Sequence, residues 1–285
     1  MKKALIAGFT GQDGSYLTEN VNDDRRMAPV VWPQKYDLFG VKVSSTTYAS
    51  AVDLLVRAGK AGRSGVVDFT PVSVLVEGVR NPVFRSQLNS FDLICPDGQP
   101  VKWCLNHFHG LGLSDRVCGT TTMLRLCAAA AAEGLGVYLY GSTEETLALL
   151  GRQLLGLFPN LKIAGAEAPP FRPLNSDEEA LAIERINASG AAFVFLGIGS
   201  PKQELFAWRH RSRISAIQLC VGAAFDFIAG TKTRAPQWMQ QLGLEWLHRL
   251  LSEPRRLGLR YLIGNARFIA LLLTAMARAP KARLT

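Results

Sequence analysis

Residues 192–204 read Ala-Phe-Val-Phe-Leu-Gly-Ile-Gly-Ser-Pro-Lys-Gln-Glu. The first five, Ala192–Leu196, form an uninterrupted apolar run, the pattern of a strand buried on both faces of a parallel sheet. Gly197 and Gly199 then let the backbone approach a ligand closely. Pro201 suits the first turn of a helix, where backbone N–H groups are left unpaired. Strand, glycines, proline and cation arrive in the order of a turn that holds a diphosphate, with Lys202 adding charge and Gln203 an amide. An ordinary strand-to-helix turn would look the same.

The same grammar recurs on either side. Candidate strands are 38–43, 65–69, 91–95, 136–140, 161–165, 192–196 and 217–221; amphipathic stretches at 47–57, 98–109, 121–133, 144–158, 177–188 and 203–211 lie between them. Alternation at this spacing predicts an α/β fold, a mostly parallel Rossmann-like sheet with helices on both faces. Such sheets bind ligands where strand carboxyl ends meet helix N-termini. After about residue 230 only helical stretches remain. The expected organisation is an extension or linker at 1–33, an α/β domain at 34–230 and a C-terminal basic helical lobe at 231–285.

Two further rim segments carry acids. In Pro96-Asp97-Gly98 a strand closes and a helix opens; Asp97 either takes a proton from a sugar hydroxyl or caps the helix. In Val221-Gly-Ala-Ala-Phe-Asp226-Phe227 small residues permit close approach, and Asp226 is a second site acid or a structural hydrogen-bonding residue. Arg116, ahead of the helix opened by Thr120–Thr122, suits a phosphate or carboxylate, or else a solvated surface. Farther on, Arg249, Arg256 and Arg260 are spaced seven and four apart, one helical face if the helix runs through Pro254.

The net charge is +9, and from Lys232 onward ten Lys/Arg stand against two acids, which places +8 of it in that segment. A basic segment rich in Leu, Ile and Phe suits an anionic surface. Five scattered cysteines without a C-x-x-C pair read as reduced thiols of a cytoplasmic protein. His107 and His109 lie on opposite sides of a helix and make a poor metal pair. The apolar run after Met1-Lys2-Lys3 is too short for a signal peptide. Residues 257–276, interrupted by Arg260, Asn265 and Arg267, read as a helix lying at a membrane interface, not one spanning it.

Residues 2–19, with Gly8, Gly11 and Gly14 after a short strand, resemble the start of GDP-mannose 4,6-dehydratase. The likeness ends there: Asn22-Asp23-Asp24, Pro29 and Pro33 replace the second half of a nucleotide-binding βαβ unit, and no Tyr-x-x-x-Lys pair follows. A nicotinamide-dependent dehydratase or epimerase remnant is the rival reading this segment supports. A non-catalytic basic docking protein is the other, although docking needs none of the rim motifs.

From about 37 to 275 the chain resembles glycosyltransferase family 26. Six ordered blocks carry the likeness: Pro96-Asp97-Gly98; Arg116-Val117-x-Gly119; Gly197-x-Gly199-x-Pro201-Lys202-Gln203-Glu204; Val221 to Gly230; Arg234-Ala235-Pro236; and Gly243-Leu244-Glu245-Trp246-x-x-Arg249-Leu250-x-x-Glu253-Pro254-Arg255-Arg256. The resemblance implies an inverting transfer without metal or cofactor, from a UDP-sugar donor to a polyprenyl-diphosphate-linked acceptor, in exopolysaccharide or cell-surface polysaccharide synthesis. It implies Asp97 as general base, Arg116 and Gln203 on the donor, and Arg249, Arg256 and Arg260 closing over the diphosphate. A homo-oligomer peripheral at the cytoplasmic face of the membrane, with no nucleic-acid partner, is also implied. Many members carry Thr-x-Asn after the strand ahead of Pro-Asp-Gly. Here that stretch is Asp68-Phe69-Thr70-Pro71-Val72-Ser73, so Thr70 is expected to supply the hydroxyl, and the lost amide fits the exopolysaccharide branch at least as well as the N-acetylmannosamine branch.

Overall fold

The computed structural model describes residues 30–278, apart from the side chains of Arg256, Leu257, Arg260, Tyr261 and Arg278. The Gly8–Gly14 motif therefore lies outside the described residues. A hairpin, β1 (Lys35–Leu38) with β2 (Val41–Ser44), leads into the sheet. Six parallel strands follow: β3 (Gly65–Thr70), β4 (Leu93–Pro96), β5 (Gly136–Gly141), β6 (Lys162–Glu167), β7 (Phe193–Gly197) and β8 (Ile217–Cys220), in the order β4-β3-β8-β7-β5-β6.

Successive strand residues face opposite sides, and the core divides accordingly. Val67, Phe69, Leu139, Phe195 and Leu219 pack under α1 (Tyr48–Lys60), α5 (Gly119–Glu133), α6 (Glu144–Leu157) and α9 (Ala224–Ala229). Val66, Ile94, Tyr140, Leu196 and Cys220 pack under α2 (Val72–Arg80), α3 (Pro82–Asn89), α4 (Gln99–His109), α7 (Ser176–Ala188) and α8 (Lys202–His210). Helices on both faces leave the strand carboxyl ends as the rim where loops gather.

Three helices complete the chain: α10 (Gln237–Gln241), α11 (Glu245–Ser252) and α12 (Pro254–Arg278). They are less separate than the sequence suggests. Phe268 of α12 is buried in the main core and meets Phe39 edge-on at 6.4 Å. At the other end, Val30 and Trp32 pack on the body, Trp32 against Gly65. Among the described residues no helix is long and apolar enough to cross a membrane.

Two expectations are corrected. The run 38–43 is not one strand but the turn of the hairpin, with Phe39 at φ 59° and Gly40 at φ 93°. Asp37 accepts the Gly40 N–H and Asn89 Nδ2 donates to the Gly40 carbonyl, which holds an aromatic residue in a left-handed conformation. And α11 and α12 are two helices, broken at Glu253 (φ −135°, ψ 59°) ahead of Pro254. Arg249 therefore shares no continuous helical face with Arg256 and Arg260.

Candidate active site

Asp97 follows β4, and Gly98 (φ 100°) turns the chain into α4. Asp97 is not the cap of that helix, whose first turn has no side-chain cap. Its carboxylate lies close enough to the Gly119 N–H at the start of α5, and to Arg116, Glu245 and Arg249, for each to act on it electrostatically. Burial pushes the Asp97 carboxyl up to about 6; Arg116, Arg249 and the Gly119 N–H pull it down, and Glu245 pushes it up. Near neutral pH it is ionised yet more basic than an exposed aspartate.

The Gly197–Gln203 turn lies on the same rim. Asp97 and Gly197 end strands separated by β3 and β8, three strand spacings or roughly 14 Å. Backbone and side chains close that distance. A side-chain carbon on Gly119 would lie 3.4 Å from Val221 Cα, and one on Gly222 would lie 3.4 Å from Gln203 Oε1. Asp97, Gly119, the Val221–Gly222 turn and Gln203 thus follow one another along the rim. Around Gly199 (φ 84°) the space is open, so a ligand can reach that backbone. Lys202 is exposed. The Gln203 N–H is given to the Gly199 carbonyl at 2.9 Å, which removes one of the N–H groups expected to face outward.

Arg116 is buried, contrary to the surface alternative, and donates to Glu245 and, at 3.2 Å, to Gln240 Oε1. Both acceptors come from the C-terminal helices. Arg249 lies 5.2 Å over the Phe227 ring. Beside it opens a cavity of about 280 Å³ lined by Phe227, Thr231, Lys232, His248, Ser252 and Glu253. The Asp226 carboxylate is bound by Lys232 at 2.9 Å, and its carbonyl accepts the Thr231 and Lys232 N–H groups. The side chains of Arg256 and Arg260 lie outside the described residues.

Thr70 corrects a sequence expectation. It is fully buried and its hydroxyl donates inward to Asp68, so it presents nothing to a substrate. Asp68 and Glu204 are two further acids near the rim. Both are buried beneath the rim, where Gln203 Nε2 donates to Glu204 Oε1 at 3.2 Å, while Asp68 Oδ1 and Gln203 Oε1 have no hydrogen-bond partner among the described residues. A charged residue inside an otherwise apolar six-residue strand, and the Glu that ends the Lys-Gln-Glu run, were the available signals.

Burial, reinforced by the nearby Glu204, holds the Asp68 carboxyl well above the usual carboxylate range. A carboxyl with a raised folded-state value stabilises the fold below the unfolded value near 4, and that stability is lost as pH rises through the raised value. Asp68→Asn is neutral and still accepts the Thr70 hydroxyl. It should raise the melting temperature at pH 8 by at least about 2 °C and by less at pH 5. Thermal melts of both proteins across that range check this; an equal loss at both pH values would contradict a neutral Asp68.

Residues 36–282, most of the chain, match the family model described as the Glycosyl transferase WecG/TagA/CpsF family.

Proposed function

Because the chain belongs to the WecG/TagA/CpsF family of glycosyltransferases, which serve cell-surface polysaccharide synthesis, we propose that it moves a hexosyl group from a UDP-sugar to a saccharide on a polyprenyl diphosphate. One observation carries this reading. The half-buried carboxylate of Asp97 lies within electrostatic reach of Arg116 and Arg249, on the rim that also carries the Val221–Gly222 turn and Gln203. A base and an anion-binding wall thus share one rim.

In this reaction the Asp97 carboxylate removes the proton of the acceptor hydroxyl. The freed oxygen attacks the anomeric carbon from the face opposite the leaving group. The bond from that carbon to the diphosphate oxygen breaks, the configuration inverts, and UDP departs carrying the electron pair. Positive charge must meet the developing diphosphate charge, and Arg249, exposed Lys202 and the open backbone at Gly199 supply it. The cavity beside Arg249 has room for a diphosphate group.

The acceptor's lipid fits the outer face of α12. Leu259, Leu262, Ile269 and Leu273 are exposed there while Phe268 faces the core, so the helix is apolar on two sides. We place the protein on the cytoplasmic surface of the membrane by this face.

The test is incubation of the purified protein and bacterial membranes with a panel of radiolabelled UDP-sugars, alongside thermal melts with UDP and with NADP. One UDP-sugar should label the lipid fraction, and UDP should raise the melting temperature. Stabilisation by NADP with no labelling from any UDP-sugar would defeat the proposal.

A further inference from the structure

Glu245 and Arg249 are four residues apart on α11 and so project from one face, and both act on Asp97. Glu245 grips Arg116, a buried guanidinium, and Gln240 takes a second N–H of the same group. Gln240 is itself fixed, its Nε2 donating to the Ala235 carbonyl at 2.8 Å. Just ahead of α11, Gly243 (φ 71°) rests on α4: a side-chain carbon there would lie 3.1 Å from Gln99 Cβ and 3.3 Å from Trp103. The contacts that tie the C-terminal helices to the Asp97 side of the rim therefore include a close backbone approach and the Arg116–Glu245 ion pair.

That ion pair decides which carboxylate Arg116 serves. Arg116 is within electrostatic reach of both Asp97 and Glu245, and its guanidinium hydrogen bonds go to Glu245 and Gln240, not to Asp97. The side chain of Glu245 is 28% exposed and that of Arg116 5%, so the pair is sheltered enough for geometry to matter. A guanidinium paired tightly with Asp97 would neutralise the base and occupy the lone pairs a substrate hydroxyl needs.

We infer that Glu245 is a positioning residue: by holding Arg116 it keeps that guanidinium off Asp97 and seats α11, with Arg249, beside the rim. The inference rests on the base role proposed for Asp97. The groups that act electrostatically on Asp97 are Asp68 from β3, Cys95 from β4, Arg116 ahead of α5, the Gly119 N–H at its start, and Glu245 and Arg249 from α11. Loss of the Glu245 charge removes one neighbour that raises the Asp97 proton affinity and frees one that lowers it. Both changes have the same sign.

The experiment follows the Asp97 carboxyl by carbon-13 NMR in the substrate-free protein, its signal assigned by its absence in Asp97→Asn. In Glu245→Gln, Asp97 should titrate about one pH unit or more lower than in the wild type. Glu245→Asp, which keeps the charge, should restore most of the difference. In an Arg116→Gln background the effect of Glu245→Gln should shrink by at least half, since the residue through which Glu245 acts is gone. An unchanged or raised Asp97 titration in Glu245→Gln would overturn the inference, and so would an undiminished shift in the Arg116→Gln background. Because the readout is titration and not sugar transfer, absence of transferase activity would leave this test intact and would count against the proposed function alone.

Discussion

Asp97→Asn is expected to lower kcat for sugar transfer by roughly 10²–10⁴-fold, the usual contribution of a positioned general base. The amide has nearly the same shape as the carboxyl, so the rim keeps its form, and the melting temperature should hold or rise slightly at pH 8, since a half-buried charge is gone. KM for the donor should change little, because the lost interaction forms only as the acceptor proton moves. The wild-type rate should fall about tenfold per pH unit below pH ~6, as Asp97 takes up the proton that disables it, and the variant should lose that limb. Radiolabel transfer over pH 5–8 measures both. Retention of more than a tenth of wild-type kcat, with the acid limb intact, would remove Asp97 from the role.

The parts of the fold that were legible share a physical cause. Strands buried on both faces are largely apolar, so β5 and β7 show up as short apolar runs ending in glycine, and β3 and β8 as runs broken only by the buried Asp68 and Gln218 and closed in β3 by Thr70. The hairpin was hidden because Phe39, a strand-forming aromatic, occupies its turn; Asp37 and Asn89 hold it there, and Asn89 is some fifty residues away. Helix α2, Val72-Ser-Val-Leu-Val-Glu-Gly-Val-Arg, was missed for the opposite reason. Its β-branched residues favour strands, yet Val74, Leu75 and Val76 are buried in a helix, and Gly78 lets Val41 approach closely.

The site divides in the same way. Asp97, Gly197, Gly199 and Gln203 sit in local strand–turn–helix units whose order survives in the chain. The partner of Arg116 comes from 129 residues downstream, and no local pattern announces such a pairing. Thr70 looked available because a hydroxyl at a strand end usually is; the neighbouring Asp68 turns it inward. The arginines of the last helices were placed on one face by counting through Pro254, which starts a new helix instead.

Gly141→Ala should be the most damaging single methyl group on the rim. Gly141 is the register partner of Gly197 across β5 and β7, and its φ of 135° lies in a region that side chains avoid. A Cβ there would stand 2.5 Å from the Gly197 carbonyl carbon and 2.8 Å from its Cα, both backbone atoms that no rotamer change can move aside. Nor can Gly197 retreat, because its own open side is filled by the Phe225 ring, 2.5 Å from where its Cβ would be. Relief requires the end of β7 to shift, and the Gly197–Gln203 turn with it. Strain plus overpacking should cost about 3 kcal/mol or more, a fall in melting temperature of roughly 6–12 °C for a chain of this size. Donor KM should rise as well, since the displaced turn is the proposed diphosphate cradle. Gly156→Ala in α6 is the control: nothing lies within 4 Å of its added methyl, so a helical position there should gain up to about 1 kcal/mol. If Gly141→Ala melted within about 2 °C of the wild type, β5 and β7 could not be as tightly apposed at the rim as these contacts require, and the turn would not owe its position to them.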